Sequence, residues 1–166
     1  LLVSIFTSIT LSSQTKVGQD INGVVPNDTF GRSVSLNSDG TVMAIGAIGN
    51  DGNGPDSGHT RIFALNGSNW TQVGGDIRGL MPNSRSGWSV SLSSDGNTVA
   101  IGAPNISTIG SNNGHTRIYA FNGTSWVQLG ADIFGNAPGD RSGYSVSLSS
   151  DGSTVAIGEI TNAANG

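Results

Sequence analysis

The sequence predicts an all-β fold, a fragment of a β-propeller made of four-stranded antiparallel blades. The first observation is a repeat: residues 31–46, 87–102 and 143–158 are near-copies, each 56 residues from the next. A fixed period of about this size is typical of solenoids, propellers and arrays. The second is composition, because 26 of 166 residues are glycine and only 11% are charged, which suits short strands and tight turns. The third is that no window keeps an apolar face at helical spacing.

One period contains signals for four strands. An alternating first strand reaches an Asp-Gly turn, which is a hairpin signal, and a run rich in β-branched residues follows it. A variable loop leads to a third strand, and an Asn-Gly turn leads to a fourth. In the second copy we expect strands at residues 89–92, 98–103, 114–121 and 125–129, with a connection over residues 131–142. Such a thin unit cannot bury both faces alone, so units should stack radially, with Trp70 and Trp126 between them.

The period divides the chain into five segments. Residues 30–85 and 86–141 are two full repeats, and residues 142–166 are part of a third. Residues 14–29 are expected to supply the closing strand and connection of another partial blade, so the chain would hold about two full blades and parts of two more. Residues 1–13 match no repeat unit. This uncharged, apolar stretch is interpreted as the remnant of a signal peptide, with a strand of an upstream blade as the alternative.

Charge and cysteine content argue against several classes of function. The formal net charge is −4 without a basic stripe, so a nucleic-acid partner is not expected. The chain has no cysteine, which excludes disulfides, thiolate metal sites and cysteine nucleophiles. The stretch at residues 1–13 is too short to span a bilayer as a helix. No serine-hydrolase elbow, zinc-protease motif or phosphate-binding loop occurs, and no enzymatic activity is expected.

The repeated segments resemble FG-GAP repeats, the blade repeats of integrin-alpha-type β-propellers. Phe30-Gly31 matches the FG of that motif and Gly102-Ala103-Pro104 matches the GAP. The other copies are degenerate at both places. The core S-V-S-L-S-x-D-G-x-T-V-A-I-G and the tail W-x-Q-x-G-x-D-I are most similar to the subgroup found in secreted bacterial proteins. The resemblance runs from residue 14 to the end of the chain.

This resemblance implies a location and a function. The protein would be secreted or displayed on a bacterial cell surface, where it would act as a non-enzymatic binding or adhesion module. Its partner would be an extracellular protein or polysaccharide, and it would be monomeric when the ring of blades is complete. Two alternatives stay open: the propeller part of a secreted carbohydrate-active enzyme, and a structural spacer without a ligand of its own.

Calcium-binding blades of this family carry several carboxylates between the first two strands, as a hard cation requires. Here the corresponding loops have one carboxylate each, from Asp39, Asp95 or Asp151. One carboxylate cannot supply a cage of six to eight oxygens. We therefore expect plain Asp-Gly hairpins and no cofactor, and these loops do not support calcium.

Function is more readily sought where the copies differ. Residues 48–57 carry two aspartates, whereas their counterparts, residues 104–113, carry no charge. Asp51, Asn53 and Asp56 are therefore candidate ligands of an isolated cation, with a solvated polar turn as the competing interpretation.

Other polar residues recur in register and are expected to belong to the blade framework. They are His59 and His115, Arg61 and Arg117, and Asp20, Asp76 and Asp132. The alternative for the histidine-arginine pairs is a general base or an anion site.

Overall fold

All the strands of the described structure are short and pair antiparallel. A computed structural model describes residues 16–108 and 111–161, and the backbone hydrogen bonds there define eleven strands and no helix. Within those residues, therefore, no helix is long and apolar enough to cross a membrane. The interpretation of residues 1–13 as a signal-peptide remnant lies outside the described residues.

The strands form three sheets that follow the 56-residue period. They are β1 (Phe30–Leu36), β2 (Val42–Ala47), β3 (His59–Asn66), β4 (Asn69–Gln72), β5 (Ile77–Arg78), β6 (Ser89–Leu92), β7 (Thr98–Ala103), β8 (His115–Phe121), β9 (Trp126–Phe134), β10 (Ser145–Leu148) and β11 (Val155–Gly158). The first sheet has the order β1-β2-β3-β4 with β5 also paired to β3, the second β6-β7-β8-β9, and the third is the β10-β11 pair. We call these sheets units 1, 2 and 3. The predicted fold class, all-β with four-stranded antiparallel units, is confirmed.

The fourth strand of unit 2 is longer than predicted. A connection was expected from residue 131, but β9 continues to Phe134, and its last residues pair with His115 and Thr116. In unit 1 the same pairing is made by the separate strand β5. Unit 1 has Gly75 where unit 2 has Ala131, and glycine weakens a strand because it has more conformational freedom to lose.

The Asp-Gly segments form the hairpin turns that the sequence predicts. Gly40, Gly96 and Gly152 have φ between +72° and +74°, a conformation that glycine adopts without steric cost. The preceding aspartates accept hydrogen bonds inside the turn. Asp151 Oδ1, for example, accepts from the backbone N–H of Ser153 at 3.0 Å.

The main core lies between units 1 and 2. Val90 and Leu92 of β6 and Val99 and Ile101 of β7 share one face of unit 2, which we call its front face. They pack in one cluster against the opposite, back face of unit 1, to which Ala44, Ile62 and Ile77 contribute. Unit 2 thus buries its apolar front on the back of the preceding unit 1, as expected for stacked propeller blades.

Hydrogen bonds repeat at each boundary between units. A serine hydroxyl donates to a backbone carbonyl of the next unit, from Ser33 Oγ to Gly87 O (2.7 Å) and from Ser89 Oγ to Gly143 O (2.9 Å). A second serine hydroxyl accepts from a backbone N–H of the next unit, from Leu92 N to Ser35 Oγ (3.0 Å) and from Leu148 N to Ser91 Oγ (2.9 Å). The hairpin turns are joined by backbone bonds from Ser38 N to Ser94 O (3.1 Å) and from Ser94 N to Ser150 O (2.8 Å). The serines of the first strands therefore satisfy polar backbone groups of the next unit.

Trp126 lies between units 1 and 2, as predicted, and Trp70 lies between unit 1 and the segment before it. Trp126 of unit 2 donates its indole N–H to Val73 O of unit 1 at 2.9 Å. Trp70 makes the same contact with Val17 O at 3.2 Å. Residues 16–21 thus take, against unit 1, the place that residues 72–77 take against unit 2.

Glycine is required where the sheets approach most closely. A Cβ on Gly102 would overlap the carbonyl oxygen of Gly143 in unit 3, whereas a Cβ on Gly75 would meet no atom within 4 Å. We predict that Gly102→Ala lowers the free energy of unfolding by about 2 kcal/mol or more, because overpacking against backbone forces the sheets apart. The matched control Gly75→Ala should change it by less than about 0.5 kcal/mol. Urea denaturation followed by tryptophan fluorescence measures both, and equal stabilities would contradict the packing described.

Candidate functional site

The loops that differ between units meet at one edge of the sheets. Ala47, which ends β2, pairs with His59, and His59 pairs with Arg78, so the β2–β3 loop and the β5–β6 connection leave from the same end. They are joined by backbone hydrogen bonds from Asn83 N to Pro55 O at 2.7 Å and from Arg85 N to Asp56 O at 3.0 Å. We call this the loop edge, formed by residues 48–58, 79–88, 104–108, 111–114 and 135–144.

The loop edge holds its shape with an uncommon backbone conformation. Asp56 and Arg85 have φ of 50° and 53°, and their counterparts Asn112 and Arg141 have 53° and 54°. Left-handed conformations are costly for residues other than glycine, so they persist only where surrounding structure holds them in place. Here that support is backbone pairing, because Ser86 N bonds Ser57 O at 3.0 Å.

The three candidate cation ligands lie within this edge, each with a hydrogen-bonded or ionic partner. Asp51 Oδ1 accepts from the backbone N–H of Asp56 at 2.9 Å. Asn53 Nδ2 donates to Gly79 O at 2.8 Å. The carboxylate of Asp56 lies 3.6 Å from the guanidinium of Arg85. These contacts fit a polar turn; the cation itself is untested and stays a prediction.

The corresponding loop of unit 2 is held by different chemistry. Ile106 is buried where unit 1 has Asn50, and Asn50 instead donates to Asp28 Oδ2 at 3.0 Å. Asn113, also buried, accepts from the backbone N–H of Thr108 at 3.0 Å. The loop edge therefore presents charged groups in unit 1 and an uncharged loop in unit 2.

Sequence reasoning missed a row of side chains beside these loops. The guanidinium of Arg32 lies 4.2 Å from the ring centroid of Trp88, and the Trp88 ring lies 5.3 Å from that of Tyr144. The three residues occupy the same position in successive units. Each stands where the first strand begins, and Trp88 N and Tyr144 N bond the end of the second strand at Gly102 O and Gly158 O.

The three side chains of this row do not belong to the apolar core, because Arg32 is exposed and the rings of Trp88 and Tyr144 are only half-buried. Trp, Tyr and Arg are the residue types most enriched among energetically dominant binding contacts. The signal in the sequence is that the position after the invariant glycine changes among Arg, Trp and Tyr while its neighbours repeat.

Two of the three recurrent aspartates, Asp76 and Asp132, pair with the recurrent arginines, which makes these pairs framework as expected. The third, Asp20, is instead exposed and pairs with Lys16 at 2.8 Å. Arg61 Nε lies 2.8 Å from Asp76 Oδ1, and Arg117 binds Asp132 with two hydrogen bonds of 2.9 and 3.0 Å. Burial alone would raise the pKa of Asp132, but the hydrogen bonds from Arg117 and Gln128 outweigh it and leave the pKa below its ordinary value. Asp132 is therefore ionised, and its hydrogen bonds with Arg117 join β8 to the last part of β9.

The two histidines are buried beside these pairs. Each has 1% of its surface exposed, and no described residue hydrogen-bonds to Nδ1 or Nε2 of His59 or to Nδ1 of His115. Burial disfavours the charged imidazolium and, with help from the Arg117 charge, lowers the pKa of His115 to about 4. The pKa of His59 is lowered for the same reasons, with Arg61 as the neighbouring charge. Both are neutral at pH 7.

A known family matches part of this chain. The family model described as the FG-GAP repeat matches residues 22–63, which include β1, β2 and the first part of β3. The resemblance stated from the motifs is therefore confirmed, and the 56-residue period repeats the matched segment along the chain. A search of curated proteins gave no match. Among residues 16–108 and 111–161, no three histidine, aspartate or glutamate side chains cluster in a way that would hold a metal ion.

The neutral histidines predict a loss of stability in acid. Their pKa values are lower in the folded chain than the 6.5 of an exposed histidine, so below about pH 6.5 the unfolded chain takes up protons that the folded chain does not. The free energy of unfolding should fall from pH 6.5 towards pH 4, by up to about 1.4 kcal/mol per pH unit for each histidine.

Urea denaturation at a series of pH values from about 7.5 down to about 4.5 measures this slope. The chain contains two histidines in total, so His59→Gln combined with His115→Gln should remove most of the slope between pH 7 and pH 5, whatever its effect on absolute stability. A slope that persists in the double variant would contradict the assignment.

Calorimetric titration with calcium tests the candidate cation ligands. Because Asp51 Oδ1 accepts from the backbone and Asp56 faces Arg85, we expect no binding at micromolar affinity. Calcium sites with few charged ligands bind at about millimolar levels or weaker. Heat at micromolar affinity that disappears in Asp51→Asn combined with Asp56→Asn would overturn this expectation, and Asp151→Asn is the matched control in a hairpin turn.

Proposed function

We propose that this FG-GAP repeat protein is a non-enzymatic extracellular binding module that recognises a protein or polysaccharide through its loop edge. The observation that carries the proposal is the row of Arg32, Trp88 and Tyr144 beside loops that differ between units. The family match supports a propeller of the adhesion type. Location at or outside a bacterial cell surface rests on the resemblance to the secreted subgroup, and no cofactor is part of the proposal.

The row has the chemistry of a contact surface. Trp and Tyr present large rigid rings with a polar group at one end, and they lose little conformational entropy on binding. Arg32 adds a planar cation that can meet a carboxylate, a carbonyl or a hydroxyl. A protein segment or the faces of sugar rings could lie along these three side chains, which extend across two unit boundaries.

The neighbouring loops would supply selectivity. In unit 1 the loop carries Asp51 and Asp56, with Arg85 3.6 Å from the latter, whereas residues 104–113 of unit 2 are uncharged. A ligand lying across both units would therefore meet two aspartates and Arg85 on one side, and on the other side uncharged amides and hydroxyls beside the exposed Arg141. Differences in charge along a surface discriminate between partners more than they add affinity.

Binding of the purified chain to a panel of immobilised polysaccharides and extracellular matrix proteins tests the proposal. Arg32→Ala changes an exposed side chain and should weaken binding by about 10-fold or more, and Trp88→Ala by a similar factor, as for residues at the centre of an interface. Leu129→Ala, on the back face of unit 2 and 48% exposed, is the control and should bind normally.

The outcomes separate the alternatives. Unchanged binding in both variants would show that the ligand lies elsewhere. Release of shorter sugars from a polysaccharide of the panel would favour a carbohydrate-active enzyme, and the lack of binding to any member of the panel would favour a spacer. Exchange of residues 48–57 for the sequence of residues 104–113 should change which ligands bind.

A further inference from the structure

We propose that the ligand of the loop edge is an acidic polysaccharide, whose carboxylates bind the row of Arg32, Trp88 and Tyr144 and the neighbouring arginines. This inference rests on the proposed function and adds to it the chemical class of the ligand. Three features of the described residues carry it: the hydrogen-bonding character of the row, the separation of charge between two edges of the sheets, and the uncharged loop beside the row.

The polar groups of the row are mainly hydrogen-bond donors. A guanidinium has several N–H donors and no acceptor, an indole has one donor and no acceptor, and a phenol can both donate and accept. The row residues contact one another through their rings and the Arg32 cation. Within residues 16–108 and 111–161, no side chain or carbonyl accepts from the Arg32 guanidinium, the Trp88 indole or the Tyr144 phenol. These donors can therefore bind oxygen atoms of a ligand.

An anionic oxygen is the best partner for this set of donors. Hydrogen bonds from a guanidinium to a carboxylate are about twice as strong as those between neutral groups, and the planar fork fits both carboxylate oxygens. The Trp88 ring, 4.2 Å from the Arg32 guanidinium, also restricts the motion of this group. Less conformational entropy is then lost when a carboxylate binds, so Trp88 would position Arg32 as well as contact the ligand.

The arginines outside the framework pairs collect at this edge. The chain has six arginines, and two of them pair with aspartates inside the units. The other four lie on or beside the loop edge, and they are Arg32, Arg78, Arg85 and Arg141. Arg141 is exposed, and its carbonyl accepts from the backbone N–H of Tyr144 at 3.2 Å. A second arginine thus lies directly beside the row.

A separate group of carboxylates lies at the opposite edge. The turns at residues 37–41, 93–97 and 149–153 join the first and second strands of each unit at the ends remote from the loops. Each turn contains one exposed aspartate, from Asp39, Asp95 or Asp151. The length of a strand therefore separates these three negative charges of the chain from its four unpaired-framework arginines.

Three acidic residues near the loops are withdrawn from the surface. Asp28 and Asp140 are 4% and 0% exposed, and each accepts a hydrogen bond from a neighbouring loop residue. Glu159, which follows β11, is half-buried. The arginines are therefore more accessible to a ligand than these carboxylates are.

The two remaining aspartates indicate where the ligand lies. Asp51 and Asp56 of the unit 1 loop would repel a carboxylate, and Asp56 already faces Arg85 at 3.6 Å. The backbone N–H of Arg141 instead bonds the unit 2 loop, at Asn112 O (3.0 Å). An acidic ligand would therefore lie along the row towards Arg141 and the unit 2 loop.

The unit 2 loop favours a polysaccharide over an acidic protein. Residues 104–113 are uncharged and include several asparagine, serine and threonine side chains. Amides and hydroxyls both donate and accept hydrogen bonds, as the hydroxyls of a sugar do. A sugar chain that carries carboxylates would place its charges on the arginines and its hydroxyls on this loop.

Binding to polysaccharides that differ only in charge tests the proposal. Polygalacturonate, alginate and hyaluronate are immobilised, each beside its methyl-esterified form, and binding is measured by biolayer interferometry. We expect the chain to bind at least one acidic form about 10-fold or more tightly than its ester. The affinity should fall as salt rises from about 50 to about 500 mM, because exposed charges are screened. Dextran sulfate and dextran are measured in parallel, and binding to dextran sulfate alone would overturn the assignment of carboxylate.

Variants locate the contact. Arg32→Gln and Arg141→Gln should each weaken binding to the acidic form by about 10-fold, as expected for a hydrogen bond to a charged group. Lys16→Gln removes the same charge from a residue that pairs with Asp20, away from the loop edge, and it is the matched control. Asp51→Asn combined with Asp56→Asn should strengthen binding by about 3-fold, a gain that misfolding cannot produce.

The outcomes distinguish failure of this inference from failure of the proposed function. Equal binding of acidic and esterified forms would overturn the acidic ligand and leave the binding module in place. Binding to a matrix protein and to no polysaccharide would overturn the ligand class alone. Binding to nothing would overturn both. A loss in Lys16→Gln equal to that in Arg32→Gln would show that net charge is responsible, and would overturn the assignment to the row.

Discussion

Stacking of one sheet's apolar front on the small-residue back of the preceding sheet is the constraint on which the rest of the structure depends. Val90 and Leu92 are buried only because unit 1 lies against them. The close approach needs glycine at positions 46 and 102, where any side chain would meet the next backbone. It also needs serines in the first strands to satisfy backbone groups across the boundary. Apolar burial, glycine and serine are thus three parts of one interface, and they recur together because the interface recurs.

The Arg–Asp pairs serve the same interface from within each sheet. Arg61 and Arg117 lie on the front face, where an unpaired guanidinium would be costly to bury. Asp76, between β4 and β5, and Asp132, on β9, neutralise them, with Gln72 and Gln128 as further donors to the carboxylates. The pairs therefore allow a long side chain to pack between sheets without leaving a charge unpaired, and they join the third strand to the strand that follows.

Much of the fold could be predicted from sequence because the 56-residue repeat shows the residue type at every framework position at least twice. The hairpin turns, the strands of each unit and the place of Trp70 and Trp126 followed from it. The extent of β9 did not, since the two segments have the same turn signals and differ only in side chains, among them Ala131 in place of Gly75. The row of Arg32, Trp88 and Tyr144 was also missed. Its members share no side-chain type, and their contact depends on the spacing between sheets, which a single sequence does not reveal.

Packing between the sheets also determines which positions can vary and so contribute to ligand binding. A framework side chain packs against one sheet or the next, so its replacement disturbs packing, whereas segments of the loop edge are also joined through their backbones. The bonds from Arg85 N to Asp56 O and from Ser86 N to Ser57 O hold the loops while leaving side chains free to vary in type. Because these bonds fix even the left-handed residues, the loop edge is ordered before any ligand arrives. Binding there would then lose little conformational entropy, which favours a rigid surface over a flexible one.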